Sequence, residues 1–269
     1  MQYKKGQVLL IVVMLLATAI TVVLSISFTT TTDTKITKLE EESQKALAAA
    51  EAGIEAALET KSSVPKLSDL AGLSGFTGSA DLSTTVGKSF TSPLLQKDEQ
   101  YTFYLDKYIP ENSPPFENIP YNGTITVYYG SKDVADCSNI ALELTLIYDS
   151  GGYKIKRLVS DSGDLLGANI ENEWASQSNP QEKDVGGAKF FCRTKGVDIS
   201  TYTGAKVLIV RALFGQTKIG FSGSDADPDF KPQGSFITST ATSSTGVTKK
   251  VQLFQSYPQI PSEFFVTRF

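Results

Sequence analysis

The chain opens with an uncharged, apolar run from Val8 to Phe28, and no charged residue follows until Asp33. Residues 8–26 alone would rise about 28 Å as an α-helix, enough to cross the hydrocarbon core of a bilayer. Lys4 and Lys5 flank the run, which predicts a cytoplasmic N-terminus with everything beyond residue 28 outside. The periodicity then changes. Ile36, Leu39, Leu47, Ala50, Ile54 and Leu58 recur at steps of three and four residues or their multiples, one stripe of an amphipathic helix. Strong helix formers dominate residues 35–60 and no proline precedes Pro65, so both segments join into one helix from Gln7 to Thr60, about 80 Å long. Its weak points are the threonines at 29–32 and Gly53. A threonine hydroxyl can bond a carbonyl one turn back and so be carried inside a helix.

Beyond the helix the apolar positions alternate. Ile140, Leu142, Leu144 and Leu146 interleave with Ala141, Glu143 and Thr145, Asp149-Ser150-Gly151-Gly152 turns the chain, and Tyr153, Ile155 and Val159 resume the pattern. That is a hairpin by pattern and by turn chemistry. Further strands are predicted at 101–109, 124–129, 188–192, 206–214, 217–221, 235–241 and 247–254, and residues 62–98, 110–120 and 171–187 read as loops. Asn122-Gly123-Thr124 reads as a tight turn, with a glycosylation acceptor as the alternative. The expected fold class is α+β: a long N-terminal membrane-spanning helix, then a β-rich, antiparallel, sandwich-like head. The segments are a leader (1–6), a membrane half of the helix (7–28), an extracytoplasmic half (29–62) and the head (63–269), with a subdivision of the head near residue 199.

Several fates fit an apolar N-terminal segment: a cleaved signal peptide, an uncleaved anchor, or cleavage before the span. The apolar run is longer than a signal-peptide core, and no cysteine follows it to carry a lipid. The basic leader ending in Gly6, directly before Gln7 and the span, resembles the cleavage site of type IV prepilins. The stretch Ala48-Ala49-Ala50-Glu51-Ala52-Gly53-Ile54-Glu55 resembles the helix of PilX-type minor pilins. Near the other end, residues 232–240 with Gly246-Val247-Thr248-Lys249-Lys250-Val251 resemble the strand pair that closes many pilin heads.

The resemblance to type IV pilins and pseudopilins implies a minor filament subunit acting in assembly, in initiation or at the tip. It implies cleavage between Gly6 and Gln7 by a prepilin peptidase, with methylation of the new amine. The implied partners are other pilins through Ile11, Leu47, Glu51, Ile54 and Leu58, an inner-membrane assembly platform and membrane lipid. The location would be the cytoplasmic membrane before assembly and an extracellular filament after it. Most major pilins carry a glutamate five residues after the cleavage site, and here that position is Ile11. A buried carboxylate there costs about 2.5–3.5 kcal/mol unless paired, so its absence removes both a cost and a recruiting contact, as in pseudopilins placed at tips. The alternative, from a different class, is a membrane-anchored extracytoplasmic β-domain that binds a surface ligand, as an adhesin or glycan binder, without a filament.

Composition narrows the chemistry. The 269 residues include no histidine, which removes Ser-His-Asp, Cys-His and histidine-bound zinc sites. Cys137 and Cys192 are the two cysteines; in an oxidising compartment they would pair, or else serve as buried free thiols. Gly87-Lys88-Ser89 lacks the upstream glycine of a phosphate loop, since Leu82 stands there. Asp225, Asp227 and Asp229 alternate along a turn and would offer oxygen ligands to calcium, or form a solvated acidic turn; the EF-hand pattern fails with Pro228 inside it. No other cofactor is expected. Net charge is -4, without a basic run, so nucleic acid is not an expected partner.

Overall fold

A computed structural model of the chain describes residues 5–85, 87–130, 135–167 and 182–261. Its first element, α1 (Lys5–Thr60), is one unbroken helix of 56 residues. The threonine-rich middle continues the helix because its hydroxyls turn inward. Thr29, Thr30, Thr31 and Thr32 each donate to the carbonyl four residues back at 2.8–3.0 Å, and Thr18, Thr21, Thr34 and Thr37 do the same three or four residues back. Lys61 adopts a left-handed backbone (φ 50°) directly after Thr60, which ends the helix.

The strands that follow are β1 (Phe76–Thr84), β2 (Ser89–Thr91), β3 (Gln100–Tyr104), β4 (Thr124–Tyr129), β5 (Ala141–Asp149), β6 (Tyr153–Ser160), β7 (Lys183–Val185), β8 (Ala188–Phe190), β9 (Cys192–Arg193), β10 (Val197–Asp198), β11 (Ala205–Leu213), β12 (Gly220–Gly223), β13 (Gly234–Ser243) and β14 (Thr248–Ser256). A short helix, α2 (Asp136–Asn139), precedes β5. The chain forms two compact units, Met1–Leu82 with Ile237–Leu253 and Ser83–Phe236 with Phe254–Phe269. The expected subdivision near residue 199 does not coincide with these boundaries, and Ile199 is wholly buried in the second unit's core.

In the first unit, β13 is the middle strand of a three-stranded sheet ordered β1-β13-β14. The core here is small. Ala49, Ala50, Ile54 and Ala57 of α1 meet Leu67, Ala80, Ile237 and Ala241, with Leu58, Val64 and Val251 partly buried around them.

The second unit holds the larger core. One sheet runs β10-β4-β12-β2, with β9 also on β4; another runs β3-β11-β5-β6; β7 and β8 form a hairpin. The register of these ladders is antiparallel. Both larger sheets feed one apolar cluster: Phe90, Ile125, Val127 and Phe221 from the first, Phe103, Leu144, Leu146, Leu208 and Val210 from the second. Phe103 and Phe221 stack with ring centres 4.0 Å apart. The β5–β6 hairpin closes as the sequence predicts, with Asp149 opposite Tyr153 and left-handed Gly151 and Gly152 in the turn. Unlike a half-exposed strand, β5 is buried on both faces from Ala141 to Leu146. Glu143 is tolerated there beside Arg211, whose Nη1 lies 3.8 Å from Glu143 Oε2.

Several expectations are corrected. Residues 62–98 are not a plain loop but contain β1 and β2; in β1, FTGSADLST, Phe76, Gly78, Ala80 and Leu82 alternate with polar residues, but only Ala80 is fully buried, and Gly78 and Ala80 give the pattern little contrast. Residues 182–187 of the expected loop 171–187 enter the β7–β8 hairpin, turned by left-handed Gly186 and Gly187, while residues 171–181 lie outside the described residues. The strand expected over 101–109 ends at Tyr104, and that expected over 217–221 is confined to Gly220–Gly223. Asn122-Gly123 closes no hairpin, because β3 and β4 belong to different sheets.

Cys137 of α2 is disulfide-bonded to Cys192 of β9. The bond closes a long loop, worth about 4 kcal/mol in the loop-entropy picture. Gly130 makes room for it: a Cβ at that position would stand 2.5 Å from Cys192 Sγ, and its φ of 69° suits glycine.

Three buried phenols give this unit an alkaline limit. Burial, then the neighbouring Tyr108 and Tyr257, pushes Tyr104 up from 10.0 to about 12, while its hydroxyl donates to the Pro258 carbonyl at 2.6 Å. Burial also raises Tyr101 and Tyr121. The folded state holds these protons more tightly than the unfolded state, so their stabilisation is complete below pH 10 and is lost as pH rises through the folded values. Denaturant midpoints measured against pH should therefore fall above about pH 10, and Tyr104→Phe should make the fall shallower.

Candidate functional site

The feature that sets this chain apart is α1, and its two halves present opposite surfaces. From Leu9 to Phe28 the large apolar side chains stand exposed: Ile11 is 53 % accessible and Phe28 73 %. This part is long and apolar enough to span a membrane. Gly6 and Gln7 lie in the first turns of the described helix.

The second half is gripped by the sheet of its own unit. Ala46, Ala49, Ala50, Gly53, Ile54 and Ala57 form the buried face, at the three- and four-residue steps of a helix stripe. The residues are small because the helix backbone comes close to the sheet. A Cβ at Gly53 would lie 2.6 Å from Leu67 Cδ2, 2.6 Å from Ser239 Oγ and 3.4 Å from Ala80 Cβ. Gly78 of β1 is under the same pressure, since a Cβ there would lie 1.8 Å from the Thr240 carbonyl oxygen.

The sheet does not follow the stripe to its end. Thr245, in the β13–β14 turn, donates to Glu42 Oε2 at 3.3 Å. Beyond that point Leu39 and Ile36 continue the same face, reached from Ala46 through Ser43 in steps of three and four, yet they are 57 % and 49 % exposed. Of the expected stripe, Ala50 and Ile54 are buried, Leu58 is partly buried, and Ile36, Leu39 and Leu47 are exposed. Leu47 lies one position off the buried line and is 40 % exposed. Ile54 is buried, Leu58 is partly buried, and Glu51 points to solvent. Glu41 pairs with Lys45 at 2.7 Å on the solvent side, and that hydrogen bond and charge hold the Glu41 carboxyl below its usual range.

The acidic turn is built around Asp227. Asp227 Oδ2 accepts from the Thr124 and Ser224 backbone N–H groups at 2.8 and 3.2 Å, while Asp225 and Asp229 are exposed. Among the described residues no three acidic or cysteine side chains converge as a metal site would require. Asp227 serves the backbone, and Gly123 lets it approach: a Cβ on Gly123 would stand 2.5 Å from Asp227 Cγ. Lys88 donates to the Asp225 carbonyl, which ties the Gly87-Lys88-Ser89 stretch to this turn.

No protein-family model, no curated protein and no solved structure matches the chain.

Among the described residues Ser239 Oγ, buried opposite Gly53, finds no hydrogen-bond partner. Ser239→Ala should therefore raise stability by about 1 kcal/mol. Gly53→Leu should lower it by about 1–3 kcal/mol through overpacking, whereas Gly53→Ala gains roughly 0.8–1 kcal/mol of helix propensity against the local shift it forces. Thermal unfolding of the detergent-solubilised chain, followed by circular dichroism, checks all three variants.

Proposed function

We propose that the protein is a structural subunit of a type IV pilus-like filament, a minor pilin or pseudopilin. The observation that carries this reading is the helix itself: one continuous element whose apolar first half is exposed from Leu9 to Phe28 and whose second half is fastened to its own sheet. Such a helix serves two environments in turn. In the membrane its exposed side chains meet lipid. In a filament the same side chains meet the helices of neighbouring subunits, so extraction exchanges one apolar surrounding for another.

Ile11 fits a particular position in this scheme. With no carboxylate at that depth, the subunit has no acidic group to pair with a neighbour's terminal amine, which suits an initiating or tip subunit. The leader would be removed by a prepilin peptidase after Gly6, and the work of extraction would come from a cytoplasmic ATPase acting through the assembly platform. The head would take no part in catalysis, and its ligand would be a surface of another subunit or of the environment.

The mass of the mature N-terminus tests the reading. Membrane fractions from cells with the prepilin peptidase should yield a chain starting at methylated Gln7, and cells lacking it should keep the leader. An intact leader in both, or cleavage near Ala19 or Ser27, would leave an anchored or secreted β-domain and remove the filament proposal.

A further inference from the structure

The second unit contains a buried lysine with unusual company. Lys206, near the start of β11, has a side chain only 4 % exposed, and its Nζ lies 2.8 Å from Asp106 Oδ2, itself fully buried. The same Nζ lies 2.7 Å from the carboxamide oxygen of Asn118 and 5.3 Å from the centre of the Phe116 ring. The backbone fixes all three groups. The Leu105 and Asp106 N–H groups donate to the Lys206 carbonyl, holding the lysine and the aspartate on adjacent chains. Asp106 also accepts from the Asn118 and Ile119 N–H groups, each at 3.1 Å, which draws the asparagine back over the lysine. Asn118 takes a left-handed backbone (φ 63°) to do so, a conformation asparagine tolerates better than most residues.

We propose that Lys206 and Asn118 are a site of autocatalytic isopeptide bond formation, with Asp106 as the proton-transfer group. An amine hydrogen-bonded to a carboxamide oxygen at this distance stands about 3.5 Å from its carbon, within the near-attack range. The ammonium of Lys206 passes a proton to the Asp106 carboxylate, and the resulting neutral amine attacks Asn118 Cγ. Asp106 donates that proton onward to the departing nitrogen, the Cγ–Nδ2 bond breaks and ammonia leaves. The attacking nitrogen gives up one further proton to Asp106, which hands it to the departing ammonia, so that ammonium leaves, Asp106 ends as a carboxylate and the former amine ends as an amide N–H. No oxidant or outside reagent is needed. Burial of Lys206 and Asp106 excludes competing water, while the exposed side of Asn118 gives ammonia a way out. The product would tie the proline-rich stretch containing Pro110, Pro114, Pro115 and Pro120 covalently to β11, across 88 residues of sequence. This inference is independent of the filament reading, since it concerns only the second unit's own residues.

Peptide mapping of the purified full-length chain tests it. The expected result is a branched peptide joining the Lys206 and Asn118 segments, lighter than its two parts by about 17 Da for one lost ammonia, with tryptic cleavage after Lys206 blocked. Asn118→Ala removes an exposed side chain and should leave the fold intact, restoring cleavage at Lys206 and abolishing the branched peptide. Asp106→Asn, which keeps an acceptor for the Asn118 and Ile119 N–H groups, should also abolish the branched peptide, and Asp106→Glu should restore part of the yield. Separate, unmodified Lys206 and Asn118 peptides from the folded wild type would overturn the proposal. A loss of about 18 Da with the bond at Asp106 would overturn the assignment of Asn118 as the acceptor.

Discussion

The close approach of α1 to its sheet is the constraint on which the first unit depends. A helix carrying leucine or valine along its buried face would stand off from β1 and β13, and the small core of Leu67, Ala80, Ile237 and Ala241 would not close. Alanine at 46, 49, 50 and 57 and glycine at 53 bring the backbones together, and Ile54 supplies the one large side chain of the stripe. The arrangement trades buried area for proximity. Alanines bury little apolar surface, so the grip is made by fit, by the β-ladder and by the helix's own hydrogen bonds rather than by a large hydrophobic gain.

That economy has a consequence at the other end of the helix. Because the sheet covers the stripe only from about Glu42 onward, Ile36 and Leu39 remain uncovered although they lie in phase with it. They and the apolar side chains from Leu9 to Phe28, separated by the polar residues 29–35, are left bare by their own unit. Exposed apolar surface on this scale requires another apolar surrounding, and a bilayer supplies it only as far as the span reaches. The threonines between span and head carry the helix through the change of environment with their hydroxyls already satisfied.

Much of this was legible in the sequence, and the failures have physical causes. The single long helix, its apolar first half and the presence of a stripe on its second half follow from charge, propensity and spacing. Which residues the stripe buries did not, because the eye favours Leu47 over Ala46 and the deciding quantity was backbone distance, which no periodicity records. The β5–β6 hairpin and β4 showed themselves through alternation and turn residues. Strand β1 alternates too, with Phe76, Gly78, Ala80 and Leu82 between Thr77, Ser79 and Asp81, but glycine and alanine give its apolar line little contrast within a polar, glycine-rich stretch. The Gly186-Gly187 turn of β7–β8 carried a readable signal that the surrounding polar residues obscured. Cys137 and Cys192 offered one possible pair, and they are bonded. The Asp225, Asp227 and Asp229 pattern left a calcium site and an acidic turn both open, because spacing does not show that Asp227 accepts from the Thr124 and Ser224 N–H groups. The Lys206, Asp106 and Asn118 group was invisible, as its members are far apart in sequence and meet only through the β3–β11 ladder.

The proposed docking of the uncovered face of α1 into a filament is measured by recovery of the protein in sheared surface filaments. Wild-type protein and an Ile36→Glu, Leu39→Glu variant would be compared by immunoblot of filament and membrane fractions from native cells. Docking through this face predicts wild-type protein in the filament fraction, and the variant retained in the membrane with its disulfide and its head unfolding transition unchanged. Wild-type protein confined to the membrane while filaments are present, or a variant recovered in filaments as fully as the wild type, would contradict it.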